Sequence, residues 1–330
     1  MFFKKEKKSA TEDQPKGEVV NKPFEHPLEG LTPSGLEEPS EENFPKYQQV
    51  LDHFKNKELK LPITEKYKEG DETRSLTMEE KAWLTKECIL RYCRACNWNV
   101  SDTITRLENS ISWRREFGIS GGEFQTLTQQ LVAPENETGK QLIFGFDREC
   151  RPCLFLLNGK QNTKPSFRQI QHLIFMLEMT IWFMPKGQDK LALCVDFKNY
   201  PELSTKSFPS VSVGKQVLHI LQYHYPERLG RALFVNIPWY AWAFLKICYP
   251  FVDPYTKQKC AFDEPFAKFI PEEQLDFIHG GEVNFKYDHG KFWPEMLAIG
   301  EKKKKNYMKN FEKLGGTVGL SEYDLRSEDE

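Results

Sequence analysis

The chain has 330 residues, a formal net charge of −2, 39% hydrophobic residues and 13% aromatics. That near-neutral charge supplies no global field for nucleic acid, while the length and apolar content suit one main domain with flanking segments. No window reaches about 18 uninterrupted apolar residues and the N-terminus lacks a signal-peptide run, so a cytoplasmic protein with at most peripheral membrane contact is expected.

Residues 1–78 read as a polar extension and linker, rich in Lys, Glu, Pro and Gly, with one short helix at 44–54. Phe2 and Phe3, followed by Lys4, Lys5, Lys7 and Lys8, suit either a solvated tail or a dip into an anionic surface. Residues 79–120 read as a helical subdomain. An amphipathic run at 79–92 carries Trp83, Leu84 and Ile89; Ser101 and Asp102 mark a second helix start, and Gly118 its end. Between 121 and 290 strand and helix patterns alternate. Segments 141–146 and 153–157 form a hairpin about Asp147-Arg148, and 166–183 is a long apolar helix. LALCVDF (191–197) is a strand apolar on both faces, and 213–222, 232–237 and 239–249 read helix, strand, helix. The last block, 291–330, reads as a C-terminal helix with Lys302–Lys305 and an acidic tail. The fold class is therefore α/β, a helical N-terminal subdomain followed by a mixed sheet.

The stretch from His224 to Lys259 organises the rest. Glu227 and Arg228 open it, and an aromatic segment at 239–249 follows, apolar on nearly every face and broken only by Lys246. At about 1.5 Å per residue this segment is half a bilayer's hydrocarbon thickness, too short to span one. The turn Asp253-Pro254 closes it, with Thr256 and Lys259 just beyond. Polar residues bracketing such an element suggest a lid over an apolar cavity.

Enzyme signatures fail. Gly214-Lys215 is followed by Gln216 where a phosphate loop needs Ser or Thr, no G-x-S-x-G elbow presents a nucleophilic serine, and no H-E-x-x-H or G-x-G-x-x-G is present. The pairs Cys93/Cys96 and Cys150/Cys153 lie too far apart in sequence for a zinc knuckle, so no metal is expected. His219 reads as a helix-packing residue, His224 as a helix cap or a headgroup contact, and Asp196 as a turn or cap. No nucleophile, base and oxyanion hole assemble, and no cofactor is implied. The chain reads as a binder.

YPERLG (225–230), the NIPW run from 236, DPYTKQK (253–259), VDFK (195–198), RYCRACNW (91–98) and WRREFG (113–118) together resemble the CRAL-TRIO lipid-transfer proteins. The likeness is to fungal phosphatidylinositol-transfer members, in the branch tied to sterol binding and azole resistance, and it covers residues 80–325. It implies an α/β lipid-binding domain whose sheet floors a hydrophobic pocket. A gate helix would carry Trp239, Trp242, Phe244 and Leu245. The inositol-phosphate headgroup would be held by Glu227, Thr256 and Lys259, with Arg228 and Asp147 nearby. The chemistry fits: lysine and hydroxyl suit a phosphodiester, and a carboxylate accepts from inositol hydroxyls. For Glu227 and Arg228 a plain surface ion pair is the competing reading.

Two departures from the family pattern matter. A basic headgroup residue of the founding branch falls at Cys96. The hydroxyl positions that hold choline there fall at Ile143, Leu154, Pro201 and Leu221, all without a donor, which disfavours phosphatidylcholine and favours a sterol as second ligand. The expected activity is exchange of phosphatidylinositol and sterol between membranes without covalent chemistry, influencing lipid homeostasis and azole tolerance. The alternative is a lipid-sensing adaptor that presents phosphatidylinositol to a lipid kinase or tethers a lipid-synthesis enzyme. The endoplasmic reticulum, lipid droplets and cell periphery are the compatible membranes.

Overall fold

The computed structural model describes residues 17–35, 38–66, 68–200, 202 and 211–328. The N-terminal unit contains α1 (Phe44–Lys55), a two-stranded antiparallel ribbon of β1 (Lys60–Pro62) and β2 (Thr73–Ser75), α2 (Met78–Trp83), α3 (Lys86–Ala95) and α4 (Val100–Phe117). Thr77 and Glu80 form a capping box that starts α2, and Thr85 caps α3 by accepting from Cys88 N. The helix expected over 79–92 is therefore two helices with a break at Leu84-Thr85. Asn99, not Ser101, caps α4, which ends at Gly118 in the left-handed region (φ 83°).

Helix α1 packs onto the helices that follow residue 78. Tyr47, Val50, Leu51 and Phe54 lie on one face of α1 and are buried with Ile89, Leu90, Leu107 and Ile111. The helical unit thus begins at α1. Part of the preceding segment also packs: Val20 bridges to Phe285, and the Phe24 ring meets Phe144 edge-on at 5.2 Å. Phe2, Phe3 and the lysines that follow lie outside the described residues.

The main unit runs α5 (Gln129–Val132), β3 (Gln141–Phe146), β4 (Pro152–Gly159), α6 (Phe167–Phe183), β5 (Leu191–Asn199), α7 (Val211–His224), β6 (Leu229–Val235), α8 (Trp239–Cys248), α9 (Pro254–Gln258) and β7 (Cys260–Phe262). The five strands lie in the order β3-β4-β5-β6-β7, antiparallel between β3 and β4 and parallel thereafter. Register fixes the two faces, because directly paired residues point the same way. One face carries the rows Ile143–Leu154–Leu193–Ala232–Cys260 and Gln141–Leu156–Val195–Phe234–Phe262. The other carries Leu142–Phe155–Cys194–Leu233–Ala261, and Phe266 and His279 cover it by ring contacts to Phe155. After Pro271 the chain makes short 3-10 turns at Glu272–Gln274 and Phe277–His279.

Helix α10 (His289–Lys313) buries Phe292, Trp293 and Met296 in the main core, and α11 (Glu322–Leu325) packs beneath α3 and α10. The lysine run on α10 is largely paired inside the protein: Lys302 meets Glu25, Lys303 meets Glu328 and Lys304 meets Glu79. Among the described residues no helix is long and apolar enough to cross a membrane.

Candidate functional site

The N-terminal ends of β5, β6 and β7 open onto a cleft of about 340 Å³ whose lining includes Arg151, Lys190, Arg231 and Lys259. Asp147 supports one wall from behind. Its buried carboxylate accepts from Glu149 N (2.9 Å), Arg151 N (3.0 Å) and Arg151 Nε (2.6 Å). Burial pushes its carboxyl up against the pull of Arg151. Arg151 so held passes directly over Gly230, where an added Cβ would run into Arg151 Cδ. Arg231 lies over the Phe269 ring at 4.7 Å, and its Nε is buried with no hydrogen-bond partner among the described residues.

Lys259 closes the opposite side. Asp253 caps α9 by accepting from Thr256 N at 2.8 Å, and Lys259 follows that helix directly. Its Nζ donates to Leu229 O (2.6 Å) and sits 3.8 Å from the Tyr255 ring centre. Burial, with Lys190 and Arg151 beside it, pulls its pKa down to about 8, against the opposing pull of Glu227 and Asp253. Two carboxylates face these four cations. Asp189 is already engaged from behind by Arg91 (2.8 Å), and Glu149 accepts from Arg151 (2.8 Å) and lies 3.6 Å from Arg231. The cleft keeps an excess of positive charge.

The expected headgroup residues divide. Glu227 holds a left-handed backbone (φ 59°) and accepts from Arg94 Nε at 2.6 Å. Arg94 was not foreseen; two residues before Cys96, it brings a cation to the corner where the resemblance pointed to a missing one. Thr256 lies half-buried on α9 within the loop that positions Lys259. Arg228 turns the other way, donating to Asp189 O (2.8 Å) and Glu322 Oε1 (3.1 Å) inside the core. Asp147 is 1% exposed and acts through Arg151. Lys190, Arg231 and Arg151 also escaped the sequence reading. The signal they carried is position, since Lys190 and Arg231 flank the starts of buried parallel strands.

The apolar face adjoins the cleft. Ile143 and Leu154 are register partners, each 1% exposed, and Leu221 packs on the core with Val213 and Val217 along α7. Pro201 lies outside the described residues. Over the Phe262 end stands α8, with Ala241 buried and the Trp242 ring 5.2 Å from Phe262. Trp242, Leu245, Tyr249 and Pro250 line an apolar groove of about 450 Å³. Phe244 lies in α8, but its side chain is outside the described set. Trp239 differs from the covering role expected of it: on the first turn of α8 it is 81% exposed, its ring against Tyr240. Ile247, Tyr249, Phe251 and Tyr255 are exposed on the same stretch, with Lys215 over Phe251 and Lys257 over Tyr249. Aromatics interleaved with lysines suit a lipid–water boundary.

A left-handed turn precedes α8. Asn236, at φ 54°, donates to Asp196 Oδ1 (2.7 Å), and Asp196 Oδ2 lies 3.1 Å from His279 Nε2. Burial alone would lower His279, but hydrogen bonds to Asp196 and Asp276 outweigh it and raise the pKa to about 9. Asp196, expected as a turn or cap, anchors the turn that leads into α8.

Residues 136–281 match the CRAL/TRIO domain and residues 46–109 the CRAL/TRIO N-terminal domain. The phosphatidylinositol transfer protein PDR17 of Saccharomyces cerevisiae is 45% identical over 302 residues, covering 89% of this chain and 86% of that protein. The chain belongs to the CRAL/TRIO family. A CRAL-TRIO domain-containing protein of Schizosaccharomyces pombe is also 45% identical, over 76% of this chain but 24% of its own length. Patellin-3 of Arabidopsis thaliana is 28% identical, over 58% of this chain and 42% of that protein. The CRAL/TRIO N-terminal match starts inside α1, in keeping with the packing of that helix into the helical unit.

Proposed function

We propose that the protein carries phosphatidylinositol between membranes, sheltering one lipid at a time without covalent chemistry. The observation that carries this reading is the cation-rich cleft at the strand ends, set beside an apolar sheet face under a short aromatic helix. The likeness to a phosphatidylinositol transfer protein supports it. In this reading Lys259, Lys190 and Arg231 receive the phosphodiester, and Glu227, held by Arg94, accepts from inositol hydroxyls. The acyl chains run along the sheet towards Asn236, a path of about 20 Å for the seven residues of β6. Exposing two chains to water costs on the order of 20 kcal/mol, so the cover must stay closed in solution and yield only at a bilayer. Helix α8 provides that cover through Trp242 and Leu245, hinged at Asn236, while Trp239 and its aromatic neighbours enter the lipid first. Thr256 serves by shaping the Lys259 loop, Asp147 by aiming Arg151, and Arg228 by holding the floor behind them.

A second, less polar ligand such as a sterol fits the same pocket, because Ile143, Leu154 and Leu221 offer no donor to a choline phosphate. Effects on lipid homeostasis and azole tolerance at peripheral membrane sites follow from that exchange.

The test is mass spectrometry of lipids extracted from protein purified out of a eukaryotic host. Phosphatidylinositol, with sterol as the alternative occupant, is expected. Phosphatidylcholine as the main occupant would overturn the argument from the lost hydroxyls. Absence of any lipid would overturn the carrier reading and favour the adaptor.

A further inference from the structure

The C-terminal end of α7 holds a cluster that lipid carriage does not use. Glu65, in the loop after β1, and His219 and His224 of α7 each offer one ligand atom, and these three atoms lie within 4.8 Å of one another. His224 Nε2 lies 3.4 Å from Glu65 Oε1. A tetrahedral zinc ion with bonds near 2.1 Å separates its ligand atoms by about 3.4 Å, so this edge already has coordination length. The remaining separations close by rotation of His219, which is exposed.

The surroundings preorganise the buried member. The His224 ring is stacked on Trp113, centroids 4.1 Å apart and planes 7° off parallel. Its Nδ1 lies 3.0 Å from Ser110 Oγ, an outer hydrogen bond of the kind that fixes the tautomer and leaves Nε2 as the ligand atom. Burial and the neighbouring His219, Arg106 and Arg114 hold His224 neutral, with a pKa near 3. The two arginines that face it have partners of their own. Arg114 is bidentate on Glu178 (2.6 and 3.0 Å), and Arg106 donates to the carbonyls of Tyr223 and Gln222. On the Glu65 side, Glu116 adds negative charge and accepts from Glu65 N at 2.9 Å, which fixes the loop.

We propose that Glu65, His219 and His224 form a zinc site of two imidazole nitrogens and one carboxylate oxygen, with a further position open to water. A borderline N/O donor set of this kind suits zinc better than the all-oxygen sets of calcium or magnesium. The site joins the β1–β2 loop of the helical unit to the end of α7, immediately before the Tyr225–Arg228 corner that carries Glu227. Its role is to pin that corner. It stands independently of the lipid reading, and none of its ligands touches the cleft.

The experiment uses full-length protein freed of metal with EDTA and titrated with zinc chloride against a chromogenic chelator. Cobalt(II) serves as a spectroscopic probe in parallel. One equivalent should bind with a dissociation constant of about 1 μM or tighter, raise the melting temperature, and give tetrahedral cobalt bands without a thiolate charge-transfer band. His219→Ala, an exposed change that leaves the core intact, should weaken binding at least about ten-fold and abolish the zinc-dependent rise in melting temperature. Zinc affinity only in the millimolar range, equal affinity in His219→Ala, or a thiolate–cobalt band assigning the metal to cysteines would each overturn the proposal.

Discussion

Arg228 and Arg231 stand on either side of the start of β6 and have opposite surroundings. Arg228 faces inward, where it joins Arg91 and Arg326 around the carboxylate of Glu322, at 3.1, 3.2 and 2.8 Å, with the buried carboxylates of Asp189 and Glu87 beside them. Arg231 faces the cleft, where Arg151, Lys190 and Lys259 share mainly Glu149 with it. Inside, charges are close to balance and water is excluded, so the guanidinium is structural. In the cleft, cations outnumber free carboxylates and water enters, so the same group is left to receive an anion. The comparison teaches that burial and counter-charge decide the role, while residue type alone does not.

The largest expected break in that comparison is Glu322→Gln. It leaves three buried guanidiniums facing a neutral amide and should cost about 3–5 kcal/mol of stability, read as a lower denaturation midpoint. The folded fraction should bind phosphatidylinositol normally. Burial opposes the Glu322 charge, but Arg228, Arg91 and Arg326 hold its carboxyl well below the usual range. Its contribution is therefore present above the unfolded pKa of about 4.3 and is lost as pH falls below it, so wild type should destabilise more steeply in acid than the variant.

Lys259→Ala should do the reverse. Phosphatidylinositol affinity should fall about ten-fold or more, while melting temperature stays level or rises, because the fold disfavours this lysine's charge. The pH profile sharpens the same point. As pH rises through about 8 the free protein loses the Lys259 charge, so affinity should decline by up to ten-fold per unit in wild type and stay flat in Lys259→Ala. Trp242→Asp should slow transfer between vesicles several-fold by placing a charge against Phe262. The smallest effect is expected from Glu149→Gln, which removes the exposed carboxylate from the cleft and should raise headgroup affinity a few-fold in a binding titration.

What could be read from sequence follows from how local each signal is. LALCVDF declared a buried parallel strand, and β5 is that strand. The aromatic run at 239–249 declared a short apolar helix, and α8 occupies it. Glu227 and Lys259 lay inside motifs and could be singled out there. Arg94 could not be matched to Glu227, nor Glu322 to Arg228, because those partners come from helices and a tail far away in the chain. The inward direction of Arg228 was hidden for the same reason, since adjacency to Glu227 suggested a shared face whereas Arg228 reaches Asp189 and Glu322 and Glu227 reaches Arg94. Helix α1 was legible as a helix at 44–54, but the polar segments around it left it in the linker, although its 47, 50, 51, 54 spacing marked a face to bury.

The most direct test of the account is a crystal structure of the protein with phosphatidylinositol bound. The lipid phosphate should lie within hydrogen-bonding distance of Lys259 Nζ, with the inositol ring at Glu227, the acyl chains on the Leu154–Leu193 face, and Arg228 still on Glu322. A headgroup seated away from the cleft, or Arg228 withdrawn from Glu322 to bind it, would contradict the division of labour between the two ionic clusters.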